Sequence, residues 1–240
     1  MMRAVFNRLR RRLARWLWHR MVFGETSQGR ALPNTRIAPS TCIEHEDRLV
    51  LADHVYIGPF NFIEASAGIE IGEGVQITHH ASIVTHSSHR AQRLLGRRFV
   101  EWTGERPGWV QAPVVIGAWC FIGPHSLIEA GTRLGRGCVV RAGSVVRGEF
   151  PEFAVIAGNP AQVVGDTRAA DRRWLERHPE LLPHYEAWAG EMSHPRSAFG
   201  ASPSRERPQR PGRAGSAAAA WWRRLSRRSV RKSSDGEGQP

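Results

Sequence analysis

Between Val114 and Arg147 an aliphatic residue recurs at every sixth position: Ile116, Ile122, Ile128, Leu134, Val140 and Val146. A small side chain stands two residues ahead of each of the last five, at Cys120, Ser126, Thr132, Cys138 and Ser144. Gly follows the aliphatic residue in Ile116-Gly117, Ile122-Gly123 and Leu134-Gly135. A helix face repeats every 3.6 residues and a strand alternates every 2, so neither gives a period of six. A parallel β-helix does, because each side of a triangular coil takes about six residues and each coil about eighteen. The aliphatic side chain then points into the prism, and the small one fits where the chain bends.

The same spacing begins earlier. Ile37, Ile43 and Leu49 start it; a two-residue slip leads to Leu51, Ile57 and Ile63, and a second slip from Ile69 leads to Ile71, Ile77 and Ile83. Asn61 falls at a bend, where a short side chain suits the turn by hydrogen bonding locally. These runs predict about five coils over residues 31–168. The period lapses between Ile83 and Val114. Residues 86–112 hold His86, His89, several arginines, two tryptophans and Pro107, which predicts an ordered excursion loop that covers a site.

Charge is confined to the flanks. The net charge is +12, yet residues 30–168 carry 13 Arg against 13 acidic residues. A neutral prism has no basic face for nucleic acid, which is excluded as a partner. Residues 1–29 carry 7 Arg against Glu25. Within them, residues 3–22 read as a basic amphipathic helix with Val5, Phe6, Leu9, Leu13, Trp16, Leu17 and Met21 near helical spacing. Two readings of that helix stay open. It lies on an anionic membrane, with Trp16 and Trp18 at headgroup level, or it caps the open end of the prism. Residues 1–30 are taken as this helix and a linker, 169–189 as a short helical segment with Trp174, Leu175, Leu181 and Leu182, and 190–240 as a disordered basic tail. That tail holds a second basic, aromatic patch at 217–232.

Three cysteines are too few and too unevenly spaced for a disulfide framework or a metal-binding CxxC pair. Cys120 and Cys138, eighteen residues apart, are expected as interior side chains on adjacent coils of a protein in a reduced compartment. No apolar run reaches the roughly 20 residues that span a bilayer, and the arginines break up any secretory signal.

The run PVVIGAWCFIG (113–123), the RAGSVV of 141–146 and Ala157-Gly158-Asn159-Pro160-Ala161 together resemble the hexapeptide-repeat acyltransferases. They are most similar to the sugar O-acetyltransferases of the maltose, galactoside and polysaccharide type, over roughly residues 34–168. The resemblance implies an all-β fold, a left-handed parallel β-helix, although crossovers between parallel strands are otherwise right-handed. It implies a homotrimer with acetyl-CoA as acyl donor and no metal. It also implies a sugar hydroxyl of a surface polysaccharide or its precursor as acceptor, and a cytoplasmic location, at the inner membrane face if the N-terminal helix binds there.

In such enzymes a histidine at the start of the loop is the general base, which on this chain is His86, with His89 as the alternative. An imidazole titrates near neutrality and can take the proton of an otherwise weak hydroxyl nucleophile. The hydroxyl oxygen then attacks the thioester directly, since both repeat cysteines sit at interior bends. The positions that match the family's coenzyme A contacts are Phe121, Gly123, Pro124, Ala142, Arg147, Gly148, Asn159, Pro160, Gln162 and Gly165. Arg147 and Arg168 stand in for basic residues that the family has nearby. Two other activities remain: an antibiotic acetyltransferase, and a zinc hydratase of the γ-carbonic anhydrase type, which needs three converging imidazoles. Its candidates are His45, His54, His79, His80, His86, His89 and His125, of which His79 and His80 are expected as wall residues of a regular coil.

Overall fold

The six-residue period becomes three stacks of short parallel strands. The computed structural model describes residues 2–191; the expected tail, including 217–232, lies outside the described residues. Face one stacks Arg36–Ile37, Tyr56–Ile57, Gln76–Ile77, Phe121–Ile122, Val139–Val140 and Ala154–Gly158. Face two stacks Cys42–Glu44, Phe62–Glu64, Ser82–Val84, Leu127–Ile128 and Val145–Val146. Face three stacks Leu49–Leu51, Ile69–Ile71, Val114–Ile116, Arg133–Leu134 and Glu149–Phe150. Every neighbouring pair within these stacks is parallel, so the chain winds as the β-helix that the spacing predicts.

Register explains the slips. Arg36 sits opposite Tyr56 and Tyr56 opposite Gln76, twenty residues per coil, whereas Phe121 sits opposite Val139, eighteen residues on. The extra pair lies on face three, where Leu49 and Leu51, then Ile69 and Ile71, all point inward and are buried. Ile57, Ile63, Ile77, Ile83, Ile122, Ile128, Val140 and Val146 are fully enclosed along the axis. Each such side chain contributes about 1.5–3 kcal/mol by leaving water. The small residues at the bends, Cys120, Ser126, Thr132, Cys138 and Ser144, are buried too. Asn61 meets its turn requirement in full: its amide nitrogen donates to the carbonyls of Gly58 (2.8 Å) and Thr78 (2.7 Å), and its oxygen accepts from Ala81 N (2.7 Å).

The prism is closed by hairpins, which the six-residue period does not describe. Glu25–Ser27 and Arg30–Leu32 pair antiparallel around Gln28 and Gly29, both at positive φ, as a tight two-residue turn demands. This hairpin, not the N-terminal helix, covers the first coil. Leu32 is buried, Ser27 Oγ donates to Leu49 O (3.2 Å), and Leu51 N donates to Ser27 Oγ (2.9 Å). The stretch read as linker is therefore the cap. At the other end, Ala154–Gly158 turns back on Ala161–Asp166.

α1 (Met2–His19) is the expected basic helix, three residues shorter at its C-terminal end, and none of its residues is buried. Burial therefore gives the capping reading of α1 no support, and its one ring contact with the prism is His19 edge-on to Phe60, 5.4 Å between centroids. Val5, Phe6, Leu9, Leu13, Trp16 and Leu17 are 52–62% exposed. Among the described residues no helix is long and apolar enough to cross a membrane.

Candidate active site

The excursion leaves the prism where face two turns into face three. Its neck is a short antiparallel pair, His86–Ser87 with Val110–Gln111. Beyond the neck, α2 (His89–Leu95) and a 3-10 turn, Gly96–Phe99, order the loop. The expectation of an ordered loop is met by this pairing and by its aromatic packing. Trp109 stacks on His86 (centroids 5.1 Å apart, planes 6° apart) and on Phe99 (6.3 Å, 14°).

Below His86 lies a residue that the sequence reading did not single out. Glu64 ends a face-two strand one coil earlier, opposite Val84, and is 2% exposed. Its carboxylate accepts from Ser66 N (2.8 Å), from Thr85 N (3.0 Å) and from Thr85 Oγ1 (2.9 Å). Burial alone would raise its pKa, but the hydrogen bonds from Ser66 and Thr85 outweigh burial and hold it at about 2. Glu64 is therefore ionised and can only accept. His86 Nδ1 lies 2.8 Å from Glu64 Oε2 and 3.2 Å from Ser66 Oγ, and beside an ionised carboxylate it carries the proton. In the neutral ring that leaves Nε2 unprotonated, free to take a proton. His89 lacks this support: it is exposed, and its Nδ1 meets Ser87 Oγ at 2.7 Å. The register would have pointed to Glu64, because coils of twenty residues stack 64 beneath 84 and 66 beneath 86.

The same carboxylate predicts an acid sensitivity. Its folded pKa of about 2 lies below the ordinary 4.5, so its contribution to stability is present above pH 4.5 and is lost as pH falls from there towards 2. Glu64→Gln should flatten thermal-melting temperature against pH across that window. It should also lower kcat at least about tenfold, because an amide no longer fixes which ring nitrogen carries the proton. An unchanged acid profile and an unchanged kcat would remove Glu64 from the site.

The other expected positions divide between edges. Pro124 and Ala142 lie on the bends between faces one and two, and the Asn159-Pro160 turn lies beside them, where Gly158 N donates to Ser144 Oγ at 3.3 Å. Phe121 is an outward residue of face one, 39% exposed. Gly123 has a packing reason: a Cβ there would stand 2.6 Å from Ala142 N on the next coil. Arg147 and Gly148 share the edge of His86, further along the axis. Gln162 and Gly165 belong to the strand of the closing hairpin. Arg168 is not brought to either group. It opens α3 (Thr167–Leu175), donates from Nε to Asp166 Oδ1 at 3.0 Å, and lies over Phe153 at the bend between faces three and one.

The histidines scatter in the same way. His45 sits at a bend between faces two and three, His54 at one between faces three and one, and His79, His80 and His125 between faces one and two. His79 and His80 are exposed corner residues and not wall residues, because they fall in the bend between the strands Gln76–Ile77 and Ser82–Val84, with His80 at positive φ. His80 and His125 stack face to face, 5.1 Å apart and 2° from parallel. Imidazoles piled in this way do not converge on a point. Among the described residues no group of three His, Cys, Asp or Glu is placed to hold an ion. Cys120 and Cys138 are buried free thiols. The hydrogen bond with Cys138, with burial second, pushes Cys120 upward, so it offers no thiolate nucleophile.

Residues 113–147 match the family model described as the hexapeptide repeat of succinyl-transferase. The "Probable acetyltransferase" of Mycobacterium tuberculosis H37Rv is 33% identical over 125 residues, 52% of this chain and 39% of that protein. The "Putative lipopolysaccharide biosynthesis O-acetyl transferase WbbJ" of Escherichia coli K12 is 27% identical over 126 residues, 52% of this chain and 64% of that protein. The chain thus spans less than two thirds of the length of either. A Vibrio cholerae hexapeptide-repeat acetyltransferase, solved with acetyl coenzyme A, aligns at 25% identity over 67% of this chain and 77% of that one, with a TM-score of 0.47. By its coils and its matched repeat, this chain is a parallel β-helix that carries hexapeptide repeats, and it is similar to acetyltransferases.

Proposed function

We propose that the chain is an acetyl-CoA-dependent O-acetyltransferase acting on a sugar hydroxyl of a surface polysaccharide or its precursor. The observation that carries this reading is the Glu64–His86 pair, a buried carboxylate fixing one nitrogen of a half-buried imidazole at the mouth of the loop. His86 Nε2 takes the hydroxyl proton as the oxygen bonds to the acetyl carbonyl carbon. The carbon–sulfur bond breaks, and the proton passes to the departing thiolate. Trp109 holds the ring from its face and gives a sugar ring an apolar surface nearby. The similarity to an O-acetyl transferase of lipopolysaccharide biosynthesis supports a glycan over an antibiotic acceptor.

Pro124, Ala142, Asn159 and Pro160 lie on a different edge from His86, Arg147 and Gly148, which supports a groove built by two copies of a homotrimer. A monomer in light scattering would overturn that part. α1 is read as a peripheral anchor to the cytoplasmic membrane face, where such precursors are assembled. The test of the activity is direct. Full-length protein incubated with acetyl-CoA and the cell's own glycan fraction should add O-acetyl groups visible by NMR. Thiol release with no new ester on glycan would overturn the sugar acceptor, and no thiol release would overturn the transferase.

A further inference from the structure

We propose that Arg106 binds an anionic group, a phosphate or carboxylate, carried by the acceptor next to the hydroxyl that His86 deprotonates. The proposal rests on the acetyl-transfer reading for the word acceptor, but not for the anion site itself.

The Arg106 guanidinium lies over two rings at once, with its central carbon 5.2 Å from the centroid of Phe99 and 5.2 Å from that of Trp109. Its Nε is buried and has no hydrogen-bond partner. Leaving a charged donor unmet in this way is costly, and since Nε itself is closed to solvent, an anion's oxygens would land on the terminal guanidinium nitrogens, which are not among the buried atoms. Attraction to two ring faces limits where the guanidinium can sit before a ligand arrives. Trp109 is the ring that stacks on His86, so the guanidinium carbon lies within about 10 Å of the imidazole centre.

The surroundings favour an anion. The loop carries Arg90, Arg93, Arg97, Arg98 and Arg106 against Glu101 and Glu105, and among the described residues none of the five forms an ion pair. Arg90 runs beside the same turn: a Cβ on Gly108 would stand 2.8 Å from Arg90 Cγ. Coenzyme A is the competing source of phosphate. Its thioester must reach His86, and the pantetheine arm then carries its diphosphate further away than Arg106 lies. A phosphate or carboxylate on the acceptor's own sugar fits the shorter distance.

The experiment uses inorganic pyrophosphate as probe, titrated calorimetrically into the full-length protein at physiological salt. Arg106→Met keeps the stem that packs on the rings and removes the charge. It should weaken pyrophosphate binding about tenfold or more, as expected for one charge-assisted contact. Arg3→Met, an equal charge loss on α1, should change nothing, and coenzyme A at saturation should leave the difference intact. Equal binding by Arg106→Met and the unaltered chain would overturn the proposal. So would disappearance of the difference under coenzyme A, which would give the anion to the cofactor. Should Arg106→Met not fold, phenylglyoxal labelling of the unaltered chain decides: pyrophosphate should protect Arg106, and absence of protection overturns the site. No turnover is involved, so failure of the acetyl-transfer reading would show separately as absent thiol release.

Discussion

His86→Ala is expected to lower kcat by about 10²- to 10⁴-fold, the range that one positioned general base contributes. The fold should survive, because the inward residues that hold this coil, Ile77 and Ile83, are untouched and His86 itself is only half-buried. Glu64 would keep its hydrogen bonds from Ser66 and Thr85, so the deletion does not strand a buried charge. The readout is thiol release from acetyl-CoA with the glycan fraction present, beside a thermal melt. His89→Ala should cost little, since His89 is exposed and has no carboxylate behind it. Activity that survives His86→Ala and dies with His89→Ala would move the base to the other histidine. Loss of the cooperative melt in His86→Ala would make the residue structural.

The prism was legible because its period is a geometric consequence of folding: one inward side chain per face, each face six residues long. Even the two slips were visible, and a second inward residue on each early face-three strand accounts for them, in the buried pairs Leu49 with Leu51 and Ile69 with Ile71. His86 was legible from its place at the point where the period lapses. Glu64 was not, although its position follows from the twenty-residue coil, because nothing in the run Phe62-Ile63-Glu64 marks an acid that the loop will cover. Trp109 and Arg106 escaped for another reason. The loop has no period, and their meeting with His86 depends on how its neck pairs. The hairpin at 25–32, which straddles the expected boundary at residue 30, has strands of three residues, too short to alternate. Gln28-Gly29 was the turn signal that marks it.

Removing α1's amphipathic character should abolish most binding to anionic vesicles. The helix spans 18 residues, none buried, and carries Arg3, Arg8, Arg10, Arg11, Arg12 and Arg15 with no acidic residue. Val22 and Phe23, a few residues beyond its end, are also exposed. A second copy is a poor occupant for this apolar face, since two such helices would bring like charges together. An anionic leaflet offers both an apolar interior for Phe6, Leu9, Leu13 and Trp16 and counter-charge for the arginines. At roughly 1 kcal/mol per cation near such a surface, engagement of only half the arginines is worth about 10²-fold in partitioning, before any apolar burial. Full-length protein should therefore sediment with phosphatidylglycerol vesicles and far less with phosphatidylcholine, and high salt should release it by screening. The pair Leu9→Asn and Leu13→Asn removes the stripe while keeping every arginine. It should weaken binding more than tenfold and leave the melting temperature unchanged, because neither side chain touches the prism core. The basic stretch 217–232 stays in place and sets the residual level. Unchanged sedimentation of the double variant, or equal binding to both lipids, would defeat the anchor. A fall in melting temperature would restore α1 as a part of the prism.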